Sequence, residues 1–130
     1  MSRGFLLDTH TLLWWLFEAE LLSYHPFEAI SGREIDIYVS AVSAMEIATK
    51  HRIGKLSHAT PLIGHFGEVM ADEGFKPLAV EWAHAERAGS FPSEHGDPWD
   101  RLLAAQSQIE ELTLISSDRK MQSFGIECYW

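Results

Sequence analysis

With 130 residues, 46% of them apolar and 22% charged, the chain has the size and balance of one globular domain, and no apolar run nears the ~18 residues of a membrane span. Lys and Arg number 10 against 19 Asp and Glu, and the net charge of −9 argues against a broad basic grip on nucleic acid, though not against a nuclease whose positive charge comes from bound cations. Cys128 stands alone, so neither a disulfide framework nor a cysteine-based zinc site is expected, and the opening MSRGFLLDTH is too soon acidic for a secretory signal; a cytoplasmic address is the expectation.

In chain order, GFLLD (4–8) reads as a first strand ending on an aspartate, followed by a helix over THTLLWWLF with Thr9 as its N-cap. FEAISGRE reads as a short helix closed by Gly32. IDIYVS (35–40) is a second, alternating and β-branched strand. AVSAMEIATKHRIGKL continues as helix, with Lys50, His51 and Arg52 in its last turn and Gly54 just beyond. TPLIGHFGEVMADEG reads as one further helix, and FKPLAV as a third strand that Pro77 assigns to an edge. Helix EWAHAERAG, loop SFPSEHG and helix PWDRLLAAQSQI lead into a fourth strand, LTLIS (112–116). DRKMQSFG is a short helix, and IECYW a fifth strand or a tail. No repeat or linker interrupts residues 1–130, which read as a single domain. Strands alternating with helices predict a parallel sheet covered on both faces.

In such sheets ligands collect outside the carboxyl ends of the strands. Asp8 ends strand one, Asp118 follows strand four, and Glu46 lies near the start of the helix after strand two. Asp100 reaches the same edge because its helix runs almost directly into strand four. The end of that helix lies at the amino edge, so about 18 Å of helix carries its start back to the carboxyl edge. Clustered carboxylates repel one another, and a hard divalent cation such as magnesium or manganese relieves the repulsion. Such an ion polarises a phosphate oxygen and activates a water, which points to metal-assisted phosphodiester hydrolysis.

Each acid also has a plain structural reading. Asp97 is a suitable N-cap, with Pro98 at the first helical position and Asp100 at the third. Ser43 and Glu46 fit a capping box, and Asp118 can cap the helix after it. Asp8 is harder to explain this way, because an acid closing an apolar strand is costly unless paired or bound. Lys50, Arg52 and Lys55 match a helix dipole or, alternatively, line an RNA path; Arg101 is placed to orient a carboxylate or phosphate. Trp14 and Trp15 read as packing residues. His10 and His95 flank the acidic rim in structural roles, and no zinc-binding histidine spacing is present.

The segments FLLDTHTLLWWL, YVSAVSAMEIATKHRIGKL, GDPWDRLLAAQ and LTLISSDRKMQSFGIECYW, in this order, resemble the PIN domain family, and most closely its VapC-type toxins of toxin–antitoxin pairs. The resemblance implies a three-layer α/β sandwich with a parallel sheet in the order 3-2-1-4-5, flanked by helices. It implies a Mg2+- or Mn2+-dependent endoribonuclease with Asp8, Glu46, Asp100 and Asp118 as its catalytic and metal-binding quartet. Thr9 and Ser116 match supporting polar positions, and Asp97 an acid common in this branch. The partners implied are RNA, a cognate antitoxin that inserts a segment into the acidic groove, and a second copy of the toxin. Met45 and Trp99 stand where tryptophan and phenylalanine are frequent, swaps that alter packing more than chemistry. Two other functions fit some of the same residues: a metallophosphoesterase built on the DxH of Asp8–His10, and a non-catalytic acidic module that binds a basic protein segment. A receiver-like phosphoacceptor lacks the lysine expected after its last strand.

Overall fold

The computed structural model describes residues 3–130. Strand β1 (Phe5–Leu7) leads into helix α1 (Thr9–Phe17), a 3-10 turn (Ala19–Leu21) and α2 (Tyr24–Gly32). Strand β2 (Ile37–Ser40), α3 (Ala41–Arg52), a 3-10 stretch (Ser57–Leu62), α4 (Phe66–Glu73) and β3 (Lys76–Leu78) form the middle of the chain. Helices α5 (Trp82–Ser90) and α6 (Pro98–Ile109), β4 (Thr113–Ile115), a 3-10 stretch (Arg119–Phe124) and β5 (Cys128–Tyr129) complete it.

All pairings are parallel, as the alternation of elements implies, and the order is β3-β2-β1-β4-β5, as the resemblance implies. Pro77 lies in an edge strand, where its missing N–H costs no ladder bond on the open side. Neighbouring residues in a strand point to opposite faces. Leu7 and Ile115 accordingly pack with α1, α2 and α3 through Leu12, Leu13, Ile30 and Ile47. Leu6 and Leu114 pack on the other side with α5 and α6 through Ala88, Leu103 and Ala104. These side chains are at most 5% exposed, so both faces of the sheet are dry.

Several local expectations are corrected. Thr9 is the first helical residue, not the cap: Asp8 takes the N-cap position with extended backbone, and its carbonyl accepts from Leu12 N at 3.0 Å. The segment read as one helix from Thr60 to Gly74 is two elements, because Gly64 turns the chain at φ +80 between them. Gly32 is the last helical residue of α2, and Arg33 adopts the left-handed conformation beyond it at φ 59. Helix α3 is capped by Ser40, whose hydroxyl accepts from Val42 N at 3.0 Å. Ser43 and Glu46 therefore form no capping box, and Ser43 turns into the buried interior. Asp97 does cap α6, accepting from Trp99 N at 2.9 Å and Asp100 N at 3.3 Å.

The start of α5 is clasped to the end of α6. The buried His84 accepts the Glu81 N–H on Nδ1 at 2.9 Å, so its proton sits on Nε2, which donates to Glu110 Oε2 at 2.9 Å. This fixes the direction of α6 and thus where its first turn ends up. No helix is long and apolar enough to cross a membrane among the described residues.

An acidic rim at the carboxyl edge of the sheet

Two adjacent central strands supply the floor. Asp8 closes β1 and is 5% exposed; its carboxylate Oδ2 accepts from Ser116 Oγ at 2.6 Å, just past β4. The same Ser116 oxygen accepts from Asp118 N at 3.1 Å. One hydroxyl thereby orients Asp8 and fixes the turn that presents Asp118. Asp118 Oδ1 also accepts from Lys120 N at 2.9 Å and caps the 3-10 stretch, so its structural reading holds as well.

The walls come from helix starts. Glu46, 4% exposed, lies in the second turn of α3. Its Oε2 receives Lys50 Nζ at 2.5 Å, which commits Lys50 to the rim and not to an RNA path. Its Oε1 is buried with no hydrogen-bond partner, alone in this among the side-chain oxygens and nitrogens of the described residues. Thr9 contributes indirectly: its hydroxyl meets Ser43 Oγ at 2.8 Å and pins α1 to the first turn of α3, one turn before Glu46. Asp100 faces the rim from the first turn of α6, and its Oδ2 lies 2.8 Å from His95 Nε2.

The fields of these groups overlap. Burial pushes the Asp8 carboxyl up to about 6, with Asp100 and Glu46 adding to the rise while Ser116 and His10 oppose it. Burial likewise raises Asp100, helped by Asp97 and Glu46 and opposed by His95. The Cys128 thiol is pushed up by burial and then by Asp8 and Asp118, which brings the fourth acid into the same field. The structure thus gathers Asp8, Glu46, Asp100 and Asp118 at one edge.

Arg101 does not orient a carboxylate. Its guanidinium donates to four backbone carbonyls, those of Ala88, Phe91, Ser93 and His95, at 2.6–2.9 Å. It pins the 91–96 loop over α6 and so fixes His95 against Asp100. His95 is the residue sequence reasoning undervalued: its position five residues before Asp100 was the available signal, but only the closed loop brings the two together. Asp97 stays behind the rim as the cap of α6, contributing charge to Asp100 without joining the cluster.

Clustered carboxylates, Asp8 and Glu46 buried, one oxygen of Glu46 unpartnered, and Asp8 and Asp100 raised by burial, fit an oxygen-seeking divalent cation.

The PIN domain family model matches residues 5–127. Ribonuclease VapC22 of Mycobacterium tuberculosis is 29% identical over 119 residues, spanning 91% of this chain and 89% of that protein. Among solved structures, DNA-bound VapBC from Salmonella typhimurium superposes with a TM-score of 0.72 at 16% identity, covering 97% of this chain and 96% of that one. VapBC2 from Rickettsia felis, bound to a DNA fragment from its promoter, gives 0.70 at 11% identity, covering 96% of each chain. At these identities the likeness to the two structures is one of fold.

Proposed function

The chain belongs to the PIN domain family, and we propose that it is a metal-dependent endoribonuclease, one domain over residues 1–130, serving as the toxin of a type II toxin–antitoxin pair. The kinship with a protein named a ribonuclease supports the reaction class. The observation that carries the metal reading is Glu46 Oε1, a buried carboxylate oxygen with no partner, in a rim where Asp8 is raised to about 6.

Asp8, Asp100 and Asp118 would hold Mg2+ or Mn2+, with Glu46 reaching it directly or through a water. When bound, the cation supplies Lewis-acid polarisation of the phosphate and lowers the pKa of the attacking water. The chain's own residues do the rest. Ser116 holds Asp8 in one orientation, and Lys50 balances half of the Glu46 carboxylate, leaving Oε1 to accept a proton from the water that attacks phosphorus. Hydrolysis joins that water's oxygen to phosphorus and breaks a phosphorus–ribose oxygen bond, and the released oxygen takes a proton from solvent. The site lies on a strongly acidic protein, so RNA approaches it as the local negative potential is neutralised.

The same acidity suits a basic antitoxin segment with an arginine that fits the rim as a bidentate carboxylate partner. A solved structure of the same fold, from Klebsiella pneumoniae, is a toxin–antitoxin complex, in line with that partner. A toxin homodimer and a cytoplasmic location complete the reading.

The test is cleavage of a mixed RNA pool in Mg2+ or Mn2+ by the intact chain and by Asp8→Asn and Asp100→Asn. Both variants should lose about three orders of magnitude, the several kcal/mol that a metal's charge stabilisation supplies. Undiminished cutting by either variant refutes the assignment. Turnover of small phosphomonoesters without RNA cleavage would favour the phosphoesterase, and RNA or peptide binding without cleavage the binding module.

A further inference from the structure

We propose that the imidazole of His95 is a ligand of the same divalent ion as Asp100 and Asp118, and that it turns the site toward a transition-metal cation, manganese above all, over magnesium. The inference rests on the metal reading above and adds a nitrogen donor to an otherwise all-oxygen set.

Geometry supports it first. His95 Nε2 lies 2.8 Å from Asp100 Oδ2. One ligand atom each from His95, Asp100 and Asp118 lie within 4.8 Å of one another. Donors at right angles around one ion, each bonded at ~2.1 Å, are ~3 Å apart, and opposite donors are ~4.2 Å apart. The three groups therefore already stand close to the separations that one coordination sphere imposes. Asp118 belongs to a different element, beyond β4, and its convergence on His95 is not needed to cap α6 or to close the 91–96 loop.

The imidazole is also held in place. Arg101 Nη1 binds the carbonyls of Ser93 and His95 at 2.9 and 2.8 Å, and His95 N donates to Ser93 Oγ at 3.1 Å. Ser93 Oγ meets Ser123 Oγ at 2.7 Å, and the His95 ring packs 5.6 Å from that of Phe124. The loop that carries the ring is thus fastened both to α6 and to the 3-10 stretch after Asp118.

The proton inventory closes. In the metal-free site a ring proton on Nε2 is the one that can be donated to Asp100 Oδ2. With the ion bound to Nε2, the ring's proton is on Nδ1, transferred through water, and the ring neither gains nor loses charge. Magnesium prefers oxygen and parts with water reluctantly, whereas imidazole suits borderline first-row cations. One nitrogen donor therefore shifts selection between ions that the four carboxylates would treat more alike.

The experiment loads the intact chain with Mn2+ and records pulsed electron paramagnetic resonance. Nitrogen coupling to manganese is expected in the intact chain, lost in His95→Gln and retained in His10→Gln. The ratio of Mg2+ to Mn2+ dissociation constants, measured by competition calorimetry, should fall roughly tenfold in His95→Gln. Bound manganese without nitrogen coupling in the intact chain overturns the inference and leaves the carboxylate site standing, independent of how any variant folds. Coupling that survives in His95→Gln also overturns it. Failure of the intact chain to bind manganese at all overturns the metal reading with it.

Discussion

Asp8 shows how a single carboxyl can weaken the protein that uses it. Its folded-state pKa is raised from 3.8 to about 6, first by burial and then by Asp100 and Glu46. The folded chain binds this proton more tightly than the unfolded chain, so the group's stabilising contribution is complete below pH 3.8 and is lost as pH rises through about 6. The metal-free protein should accordingly become less stable between pH 5 and pH 7.5 on account of this group. Asparagine imitates the protonated acid and can still accept from Ser116 Oγ. Asp8→Asn should therefore gain up to about 3 kcal/mol at neutral pH and flatten the pH slope. Urea titrations of both proteins in a chelator, at the two pH values, measure it; equal slopes would remove burial as the cause. The same substitution cuts cleavage by about three orders of magnitude under the proposed function, so stability and activity move in opposite directions at one residue.

At the scale of elements, Arg101 supplies most of the hydrogen bonds that fasten the 91–96 loop to α6. The four carbonyls held by Arg101 have no comparable donor if the planar guanidinium is replaced by an ammonium. Arg101→Lys should cost about 2–4 kcal/mol and speed amide exchange in the loop and at the end of α5, while α6 keeps its Asp97 cap. Chemical denaturation with hydrogen-exchange mass spectrometry reads both; an unchanged loop would mean that Ser93 and Phe124 hold it by themselves. The order of the strands was implied by the family resemblance alone, but the parallel sheet and the edge that carries the acids were legible from residue patterns, because strand–helix alternation and the short α6–β4 link are local. Asp97 as cap was legible for the same reason. The split at Gly64 was not, since a glycine inside an amphipathic stretch reads as a weak helix residue until its positive φ is seen. Nor were the roles of Ser43, Lys50 and His95, because each is set by a contact between elements: Ser43 with Thr9, Lys50 with a buried Glu46, His95 with Asp100 through a loop folded by Arg101. The quartet itself emerged from sequence only as acids on a common edge; the burial of Asp8 and Glu46 and the orphaned Glu46 oxygen come from packing.

Across the whole molecule, two dry layers of side chains meet a carboxylate cluster at the end of the central strands. Those layers lower the local dielectric around Asp8, which makes every unbalanced charge there more costly and every added cation more valuable. Repulsion at the rim is thus stored in the fold, and it is released by whatever brings positive charge to that edge. A cation that binds only the folded chain stabilises it by mass action, about 2.7 kcal/mol at a hundredfold excess over its dissociation constant. For a domain of this size that corresponds to roughly 10 °C in Tm. Adding Mg2+ or Mn2+ at pH 7.5 should therefore raise Tm in a saturable way, and the rise should shrink sharply in Asp100→Asn, which removes one charge from the cluster while keeping the polar contact with His95. General screening cannot imitate this, because potassium chloride at matched ionic strength acts on the exposed acids and barely on a buried pair. Scanning fluorimetry with the two salts and the two proteins separates the effects. If potassium raises Tm as much as magnesium does, the buried rim is not where the divalent ion acts.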